Sequence, residues 1–221
     1  MKISTRLETI YEMIEPGHIV ADIGCDHALL PCRLIEGNKC TKVYACDINP
    51  NPLKSAAATI KHYNYSDNIT LILSDGLKAV PADADCIVIA GMGYETIASI
   101  IDEAKERLNP NCQLIVQSNK EVDALRQFIS NHRYHIIEER CIYEHHYYQV
   151  IKFDLTKDQE LTEREIYFGK KMLKDDAYKS MWSHYYHNYQ TIIKNIKHDN
   201  SRYAELSHLL ELINQEKGSW H

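Results

Sequence analysis

The chain has 221 residues, a formal net charge of −6 at pH 7, 44% hydrophobic residues and 25% charged residues. This length allows one domain with a large core plus an appendage, and the composition is typical of soluble proteins. With no membrane-spanning apolar run and no signal-peptide core at its start, the sequence predicts a cytoplasmic protein. Its acidity argues against a simple basic nucleic-acid binder.

In chain order, the hydrophobic pattern predicts a first helix, five strands separated by turns or helices, and a terminal β-hairpin. Helices are predicted at residues 4–14, 27–36, 52–63, 94–108 and 121–132, and strands at 19–21, 42–47, 69–75, 85–92 and 112–116. The hairpin strands, 134–143 and 147–155, are joined by only three residues, too few for a parallel crossover. This predicts an α/β fold, the Rossmann-like seven-stranded sheet of a class I methyltransferase, whereas a dehydrogenase would continue with a βαβ unit.

The stretch at residues 19–31 organises the predicted site. Asp22 and Gly24 follow the buried first strand, at the edge where open α/β sheets bind ligands, and Gly24 allows close backbone approach. Cys25, Asp26 and His27 follow instead of a G-x-G-x-x-G fingerprint, and acidity there disfavours a pyrophosphate. The stretch therefore predicts a site for a nucleoside without phosphates; the alternative is an ordinary βα turn.

Further candidate residues lie at the ends of the next strands. Asp47 closes the second strand, 25 residues after Asp22, where a carboxylate can hold ribose hydroxyls. The alternative is that Asp47 caps the next turn, although Asn51 and Pro52 already offer a cap and a first helical residue. The third, fourth and fifth strands end in Asp75–Gly76, Gly91–Gly93 and the polar residues 117–119.

Five motifs occur in the order and spacing of one known family: ADIGCDHALLP (21–31), CDIN (46–49), SDGL (74–77), AGMG (90–93) and QSN (117–119). The chain resembles the bacterial tRNA (adenine-22-N1)-methyltransferases, which use S-adenosylmethionine. The resemblance is close over residues 4–155 and general beyond them. The chain departs from the family pattern at Cys25, Leu29, Tyr94 and Ser118.

The resemblance implies methylation of N1 of adenosine 22 in tRNA, with the cofactor S-adenosylmethionine bound at the strand ends. Asp47 would hold the ribose, while other residues would meet the methionine end, the adenine and the sulfonium. The implied cofactor-binding residues are Asp22, Gly24, Cys25, Asp26, Asp47, Ile48, Asp75, Gly76, Gly91, Met92 and Gly93.

Adenine N1 carries an in-plane lone pair, so alignment is the main catalytic task, and acceptors can stabilise the charge that develops on the ring. Asp26 and Asn119 are the candidate catalytic residues, for the ring charge and the N6 amino group respectively. The alternative for residues 117–119 is a strand-end cap. The candidate substrate-binding residues are Arg6, His27, Tyr94, Gln117, Ser118 and Lys120.

Residues 156–221 are predicted to form a helical coiled-coil domain after a methyltransferase domain at 1–155. Aromatic and aliphatic residues from Tyr178 to Ile196 alternate in steps of four and three, and this spacing resumes after Asn200, which predicts two helices folded back on each other. The aromatic stripe is interpreted as core, and Trp220 and His221 as a frayed end.

The C-terminal region carries 10 basic and 10 acidic residues, so the net charge of −6 lies in the first 155 residues. Basic residues are therefore predicted to position tRNA: Arg6, Lys120, Lys170, Lys171, Lys174, Lys179, Lys194, Lys197 and Arg202. Alternatively, the helices form a dimer interface or stabilise the core. The sequence does not decide whether the protein is a monomer or a weak dimer.

Two further functions stay open at this stage. The same fold can methylate a small molecule or a protein, or the chain can be a non-catalytic cofactor- or RNA-binding module. The seven cysteines and twelve histidines show no metal-site spacing and no CxxC pair, which predicts reduced thiols and no metal.

Overall fold

The computed structural model describes residues 1–197 and 199–220. Its strands are β1 (Val20–Ile23), β2 (Val43–Asp47), β3 (Ile69–Leu73), β4 (Cys86–Met92), β5 (Gln113–Ser118), β6 (Tyr134–Glu144) and β7 (His146–Lys157). They form one sheet in the order β3-β2-β1-β4-β5-β7-β6. The first five strands are parallel, and β7 lies antiparallel between β5 and β6. The predicted class I methyltransferase sheet is confirmed.

Helices cover both faces of the sheet, which explains why β1 and β2 are buried at every position. The helices are α1 (Thr5–Met13), α2 (Leu29–Glu36), α3 (Pro50–His62), α4 (Tyr94–Ala104) and α5 (Val122–Asn131). The first three pack on one face and the last two on the other, forming two separate hydrophobic cores. Within the described residues, no helix combines the length and hydropathy that crossing a bilayer requires.

Several predicted boundaries are wrong: β1 continues through Asp22 and Ile23, β3 ends at Leu73, and His145 alone joins the hairpin strands. Helix α3 begins at Pro50 with Asn49 as its N-cap residue, two residues before the predicted start, because Pro50 also suits a first helical position. Strand β5 was predicted to end at residue 116, yet it continues through Gln117 and Ser118. Gln117 pairs with β7 and Ser118 pairs with β4, so ladder hydrogen bonds extend the strand despite its polar side chains.

The C-terminal region forms α6 (Glu163–Phe168), α7 (Asp176–Ile193) and α8 (Ser201–Gly218). Helices α7 and α8 fold back on each other as predicted, since the Tyr178 hydroxyl near the start of α7 donates to Glu216 near the end of α8 at 2.8 Å. Trp220 packs 6.2 Å from the Tyr178 ring, so its prediction as a frayed residue is wrong. His221 lies outside the described residues. The division of the chain at residues 155 and 156 stays a prediction.

A buried ion pair joins the C-terminal region to the sheet. Arg126 on α5 donates to Glu139 on β6 at 2.7 Å, with side chains 1% and 0% exposed. The same guanidinium donates to the carbonyls of Ile166 and Tyr167 on α6, both at 3.2 Å. Glu139 also accepts the Lys171 backbone N–H at 3.1 Å. One charge pair therefore ties together α5, β6, α6 and the segment that follows α6.

Candidate active site

A cavity of about 590 Å³ lies at the carboxyl ends of β1 to β4, with α4 as its outer wall. The predicted cofactor residues that line it are Gly24, Asp47, Ile48, Asp75, Gly76 and Met92. They come together because the carboxyl ends of parallel strands share one edge of the sheet. Two cations also line the cavity, but Lys78 pairs with Asp75 and Glu103, and Arg107 donates to the Leu77 and Val80 carbonyls. These engagements leave the cavity without a basic cradle for phosphates.

The cavity has an apolar part that the sequence patterns did not predict. Leu77 and Ile100 line it together with Ile48, whose residue surface is 59% exposed. Ile100 lies at the edge of the α4 face whose other apolar members, Ile97, Ile101 and Ala104, are buried. A flat apolar slot beside carboxylates suits a purine ring attached to a ribose. The position of Ile100 at the edge of the apolar helix face is the sequence feature from which its place in the cavity wall could have been predicted.

Asp47 is held in place at the floor of this cavity. It is 8% exposed, and its Oδ1 accepts the backbone N–H of Asn49 at 2.9 Å. The turn-capping role weighed in the sequence therefore exists, but it occupies one oxygen only. Within the described ranges, the other carboxylate oxygen has no hydrogen-bond partner. An anchored carboxylate with a free oxygen can accept hydrogen bonds from ribose hydroxyls.

A smaller cavity of about 100 Å³ adjoins the first at Gly24 and is lined by Arg6, Asp22, Cys25, Asp26 and His27. Burial raises the pKa of Asp22 to about 7, Arg6 opposes this shift, and the Asp47 charge adds to it. Such a carboxyl readily ionises when a cation arrives beside it. Burial also raises the pKa of the Cys25 thiol, which makes it inert as a nucleophile.

The conformation of Gly24 explains why a glycine stands between the two cavities. Its φ of +77° lies in the left-handed region, which side chains disfavour. A Cβ atom there would also come within 2.6 Å of the Met92 Cε. Asp26, beyond the turn, shares the left-handed backbone with φ of +47°, and its carboxylate lies 3.6 Å from His27. Both of these side chains are exposed at the mouth of the smaller cavity.

A closed hydrogen-bond network fixes the position of Asn119. Gln117 Oε1 accepts from Arg6 Nη1 at 2.9 Å and from the Gly91 N–H at 3.1 Å. Gln117 Nε2 must then donate to Asn119 Oδ1, at 3.2 Å, and Asn119 Nδ2 donates to the Gly91 carbonyl at 2.7 Å. Both amides are thus set in one orientation. Asn119 Oδ1 keeps a second lone pair that can accept from a substrate.

The remaining predicted residues fall into different environments. Gln117 is fully buried, so it positions Asn119 and offers no surface to a substrate. Ser118 is 2% exposed and its hydroxyl donates to the Lys120 carbonyl at 2.6 Å. Lys120 is 74% exposed, lines neither of these cavities and lies 3.7 Å from the Glu121 carboxylate. Gly93 and Tyr94, around the start of α4, line neither cavity.

The described part of the chain contains no group of three or more His, Cys, Asp or Glu side chains placed to hold a metal ion. All seven cysteines are buried and unpaired. The two joined cavities therefore offer carboxylates and an apolar slot, and the oriented Asn119 amide lies next to them, bonded to Gln117 and Gly91. This set fits a nucleoside that carries positive charge on its substituent.

The model of the tRNA (adenine(22)-N(1))-methyltransferase family matches residues 20–217. The chain belongs to this family. The resemblance seen in the five motifs is confirmed, and the match extends through the C-terminal helices.

Relatives agree with this assignment. The tRNA (adenine(22)-N(1))-methyltransferase of Bacillus subtilis is 35% identical over 145 residues, which are 65% of this chain and 61% of that protein. The structure of M. capricolum TrmK in complex with S-adenosyl-homocysteine is 32% identical, with a TM-score of 0.86 and 98% of both chains covered. The structure of Streptococcus pneumoniae Sp1610 is 26% identical, with a TM-score of 0.89 over 97% of this chain and 99% of that one.

Proposed function

We propose that this chain transfers the methyl group of S-adenosylmethionine to N1 of adenosine 22 in tRNA. The observation that carries the proposal is the pair of acid-lined cavities joined at Gly24, beside the oriented amide of Asn119, in a member of this family. Relatives support the cofactor, since the M. capricolum and Streptococcus pneumoniae proteins have structures with S-adenosyl-homocysteine and S-adenosyl-L-methionine.

The residues fit this cofactor by chemistry as well as by family. When bound, S-adenosylmethionine supplies an electrophilic methyl group on a sulfonium. Asp47 holds the ribose hydroxyls, the slot formed by Ile48 and Ile100 takes the adenine, and Asp22 faces the ammonium of the methionine end. Two nearby carboxylates also favour the positive sulfonium. Met92 lines the cavity across from Gly24. Its side chain borders the space between the sites for the ribose and for the methionine end of the cofactor.

The chain's contribution to catalysis is positioning and charge stabilisation. Asn119 Oδ1 accepts a hydrogen bond from the N6 amino group of the target adenine, because Gln117 and Arg6 hold that oxygen in place. Methylation makes the ring cationic, which strengthens the N6 donor and this bond. The exposed Asp26 carboxylate at the mouth of the smaller cavity stabilises the positive charge that develops on the adenine ring. Because tRNA is the substrate, the proposed place of action is the cytoplasm.

The contacts revise which basic residues can meet the tRNA backbone. Lys170 pairs with Asp158 at 2.6 Å and Lys174 pairs with the buried Glu216 at 2.7 Å, so both have structural roles. The other predicted tRNA contacts of the C-terminal region are better placed to contact phosphates: Lys171, Lys179, Lys194, Lys197 and Arg202. Of these, Lys171, Lys194, Lys197 and Arg202 are exposed.

The proposed activity is tested by nucleoside mass spectrometry after incubation with an unmodified tRNA transcript and S-adenosylmethionine. We expect 1-methyladenosine in the transcript and none in a transcript with guanosine at position 22. Turnover on a small molecule or a protein, with none on tRNA, would instead support the alternative that the chain methylates that kind of substrate. Cofactor binding without turnover on any RNA would support a binding module.

Asp47→Ala should weaken S-adenosylmethionine binding, measured by calorimetry, by about 1.5–3 kcal/mol, because charged hydrogen bonds to the ribose are lost. The matched control is Asp67→Ala, since Asp67 is exposed and lines neither cavity. Unchanged affinity in the Asp47 variant would remove Asp47 from the ribose site.

Asn119→Ala should lower kcat on tRNA by roughly 10- to 100-fold and leave the cofactor dissociation constant within about twofold. Its hydrogen bond strengthens as the ring becomes charged, so the loss appears mainly in the transition state. Asn131→Ala is the control, because Asn131 ends α5, accepts only from Gln127 and takes no part in the network of Arg6, Gln117 and Asn119. Normal turnover of the Asn119 variant would reduce that residue to a cap of β5.

A further inference from the structure

A third cavity, of about 350 Å³, opens where β5 ends and reaches under the C-terminal helices. Its walls are the rings of Tyr147, Tyr167, Trp182, Tyr185 and Tyr189, and we call it the aromatic pocket. It meets the active site at Asn119 and Lys120, which lie on its rim. An adjoining cleft at the tip of the β6–β7 hairpin shares Asn119, Tyr147 and Tyr185 with it. The aromatic pocket thus continues the surface on which the target adenine is expected.

The rings of the aromatic pocket pack against one another and are partly exposed. Tyr185 and Tyr189 stack with centroids 6.0 Å apart and planes 27° from parallel, and Tyr147 meets Tyr185 edge-on at 6.3 Å. From the sequence, the aromatic stripe of α7 was predicted to belong to the core. Tyr178 and Trp182 are indeed buried, but Tyr185 and Tyr189 are only half-buried. A fully internal seam would have covered them.

The pocket also contains two hydrogen-bond donors without a partner among the described residues, the buried Trp182 Nε1 and Gln149 Nε2. Gln149 is 9% exposed, and its Oε1 accepts from Arg126 Nη2 at 2.7 Å. Arg126 has no acceptor atoms, so this contact orients the amide and leaves Gln149 Nε2 as the free group. Across residues 1–197 and 199–220, no acceptor lies within hydrogen-bond distance of that nitrogen. A ligand that brings an acceptor into the pocket would give such a donor its missing hydrogen bond.

We infer that the aromatic pocket binds a nucleobase of the tRNA, one of the two that flank adenosine 22. The inference rests on the proposed function and names a second contact of the same substrate. Aromatic faces stack on any base, and Gln149 Nε2 can donate to a base carbonyl or ring nitrogen. When the target adenine is extruded, its neighbour loses a stacking partner, and the pocket rim lies at Asn119 to receive it.

Charge and size also favour this occupant. Glu121 and Asp123 also line the pocket, and Lys120 on the rim lies 3.7 Å from Glu121, so an uncharged base suits the pocket better than a phosphate. The pocket is smaller than the cofactor cavity, about 350 against 590 Å³, which suits one base better than a whole nucleoside with its substituent. Tyr189 and Gln149 line neither cavity of the cofactor site, so the two sites can be probed separately.

The test combines protein variants with tRNA lacking one base. Binding of transcripts that are intact, or abasic at either nucleotide flanking adenosine 22, is measured for the wild type, Tyr189→Leu and Gln149→Glu. Tyr189→Phe, which keeps the ring, is the matched control. Gln149→Glu keeps an acceptor for Arg126 and replaces the free donor with an acceptor. Cofactor affinity is measured for each variant to verify that it is folded.

At one flanking position, base removal should weaken wild-type binding by roughly 5- to 100-fold, the range of one stacked base. Tyr189→Leu should lose a similar factor on intact tRNA and little more on the abasic transcript, because the two changes remove the same contact. Gln149→Glu should show the same coupling, and Tyr189→Phe should behave as wild type. Fully additive effects at both flanking positions in folded variants would overturn the pocket assignment while tRNA methylation persists. Absence of methylation by the wild type would overturn the proposed function, and this inference with it.

Discussion

Replacing either member of the Arg126–Glu139 pair is expected to lower the free energy of unfolding by about 3–5 kcal/mol, because the partner is left as a lone buried charge. The two side chains are 1% and 0% exposed, so water cannot solvate the orphaned group. For a chain of this size, each kcal/mol lowers the melting temperature by roughly 2–4 °C. Arg126→Met and Glu139→Gln should therefore each melt on the order of 10 °C below the wild type in calorimetry.

A surface pair provides the matched control. Arg133 and Glu160 lie 2.9 Å apart with side chains 61% and 65% exposed. Glu160→Gln should cost less than about 1 kcal/mol, as exposed pairs do. The double variant Arg126→Met with Glu139→Leu should recover much of the loss, because no charge stays buried. Single variants of the buried pair that melt within about 1 °C of the wild type would contradict this account.

The same pair bears on how the C-terminal region can be studied. Arg126 donates to carbonyls of α6, and Glu139 accepts from Lys171, so a chain cut after residue 155 would lose these partners. It would also uncover the edge of β6, where Glu139 forms a bridge with Met172. Loss of tRNA methylation in such a fragment would not separate RNA binding from folding. Point variants of exposed lysines such as Lys194 and Lys197 test the tRNA contact more cleanly.

The cofactor site could be predicted from the sequence where local patterns determine position. Asp22 and Asp47 lie at the carboxyl ends of the buried strands β1 and β2, and parallel strands necessarily bring these ends to one edge. The hairpin was also predictable, because a three-residue connection excludes a parallel crossover. In both cases the deciding residues lie close together in the chain. Whether each site residue acts as proposed is a matter for the variants above.

The rest depends on contacts between residues far apart in the chain. Arg6 on α1 orients Gln117 across 111 positions, and no local pattern pairs an arginine with that amide. The sequence pattern of α5 predicts that Arg126 lies on the helix surface, yet it is buried because α6 covers it. Tyr189 follows the same seven-residue pattern as the buried Trp182, and only the packing of α7 leaves its ring beside a pocket.

The second large expected effect concerns Asp22, where cofactor binding and stability should change in opposite directions. Its pKa is raised to about 7 in the folded chain from an ordinary value of 3.8. Between these values the folded state keeps the proton while the unfolded chain loses it, so stability falls as pH rises and the full cost is present above pH 7. A shift of about three pKa units corresponds to about 4 kcal/mol. Asp22→Asn should therefore stabilise the cofactor-free protein at pH 8 by about 2–4 kcal/mol, measured by denaturant unfolding.

The same variant should bind S-adenosylmethionine at least about tenfold more weakly, because the charge facing the ammonium is gone. Wild-type affinity should fall as pH decreases from 7 to 5, by up to about tenfold per unit, since ammonium binding then requires Asp22 to release a proton. Asp22→Asn should lack this pH dependence. The control is Asp67→Asn, an exposed carboxylate outside both cavities, which should keep the wild-type profile. A wild-type affinity that is flat between pH 5 and 7, together with a variant no more stable at pH 8, would show that Asp22 is neither strained by burial nor in contact with the cofactor's positive charge.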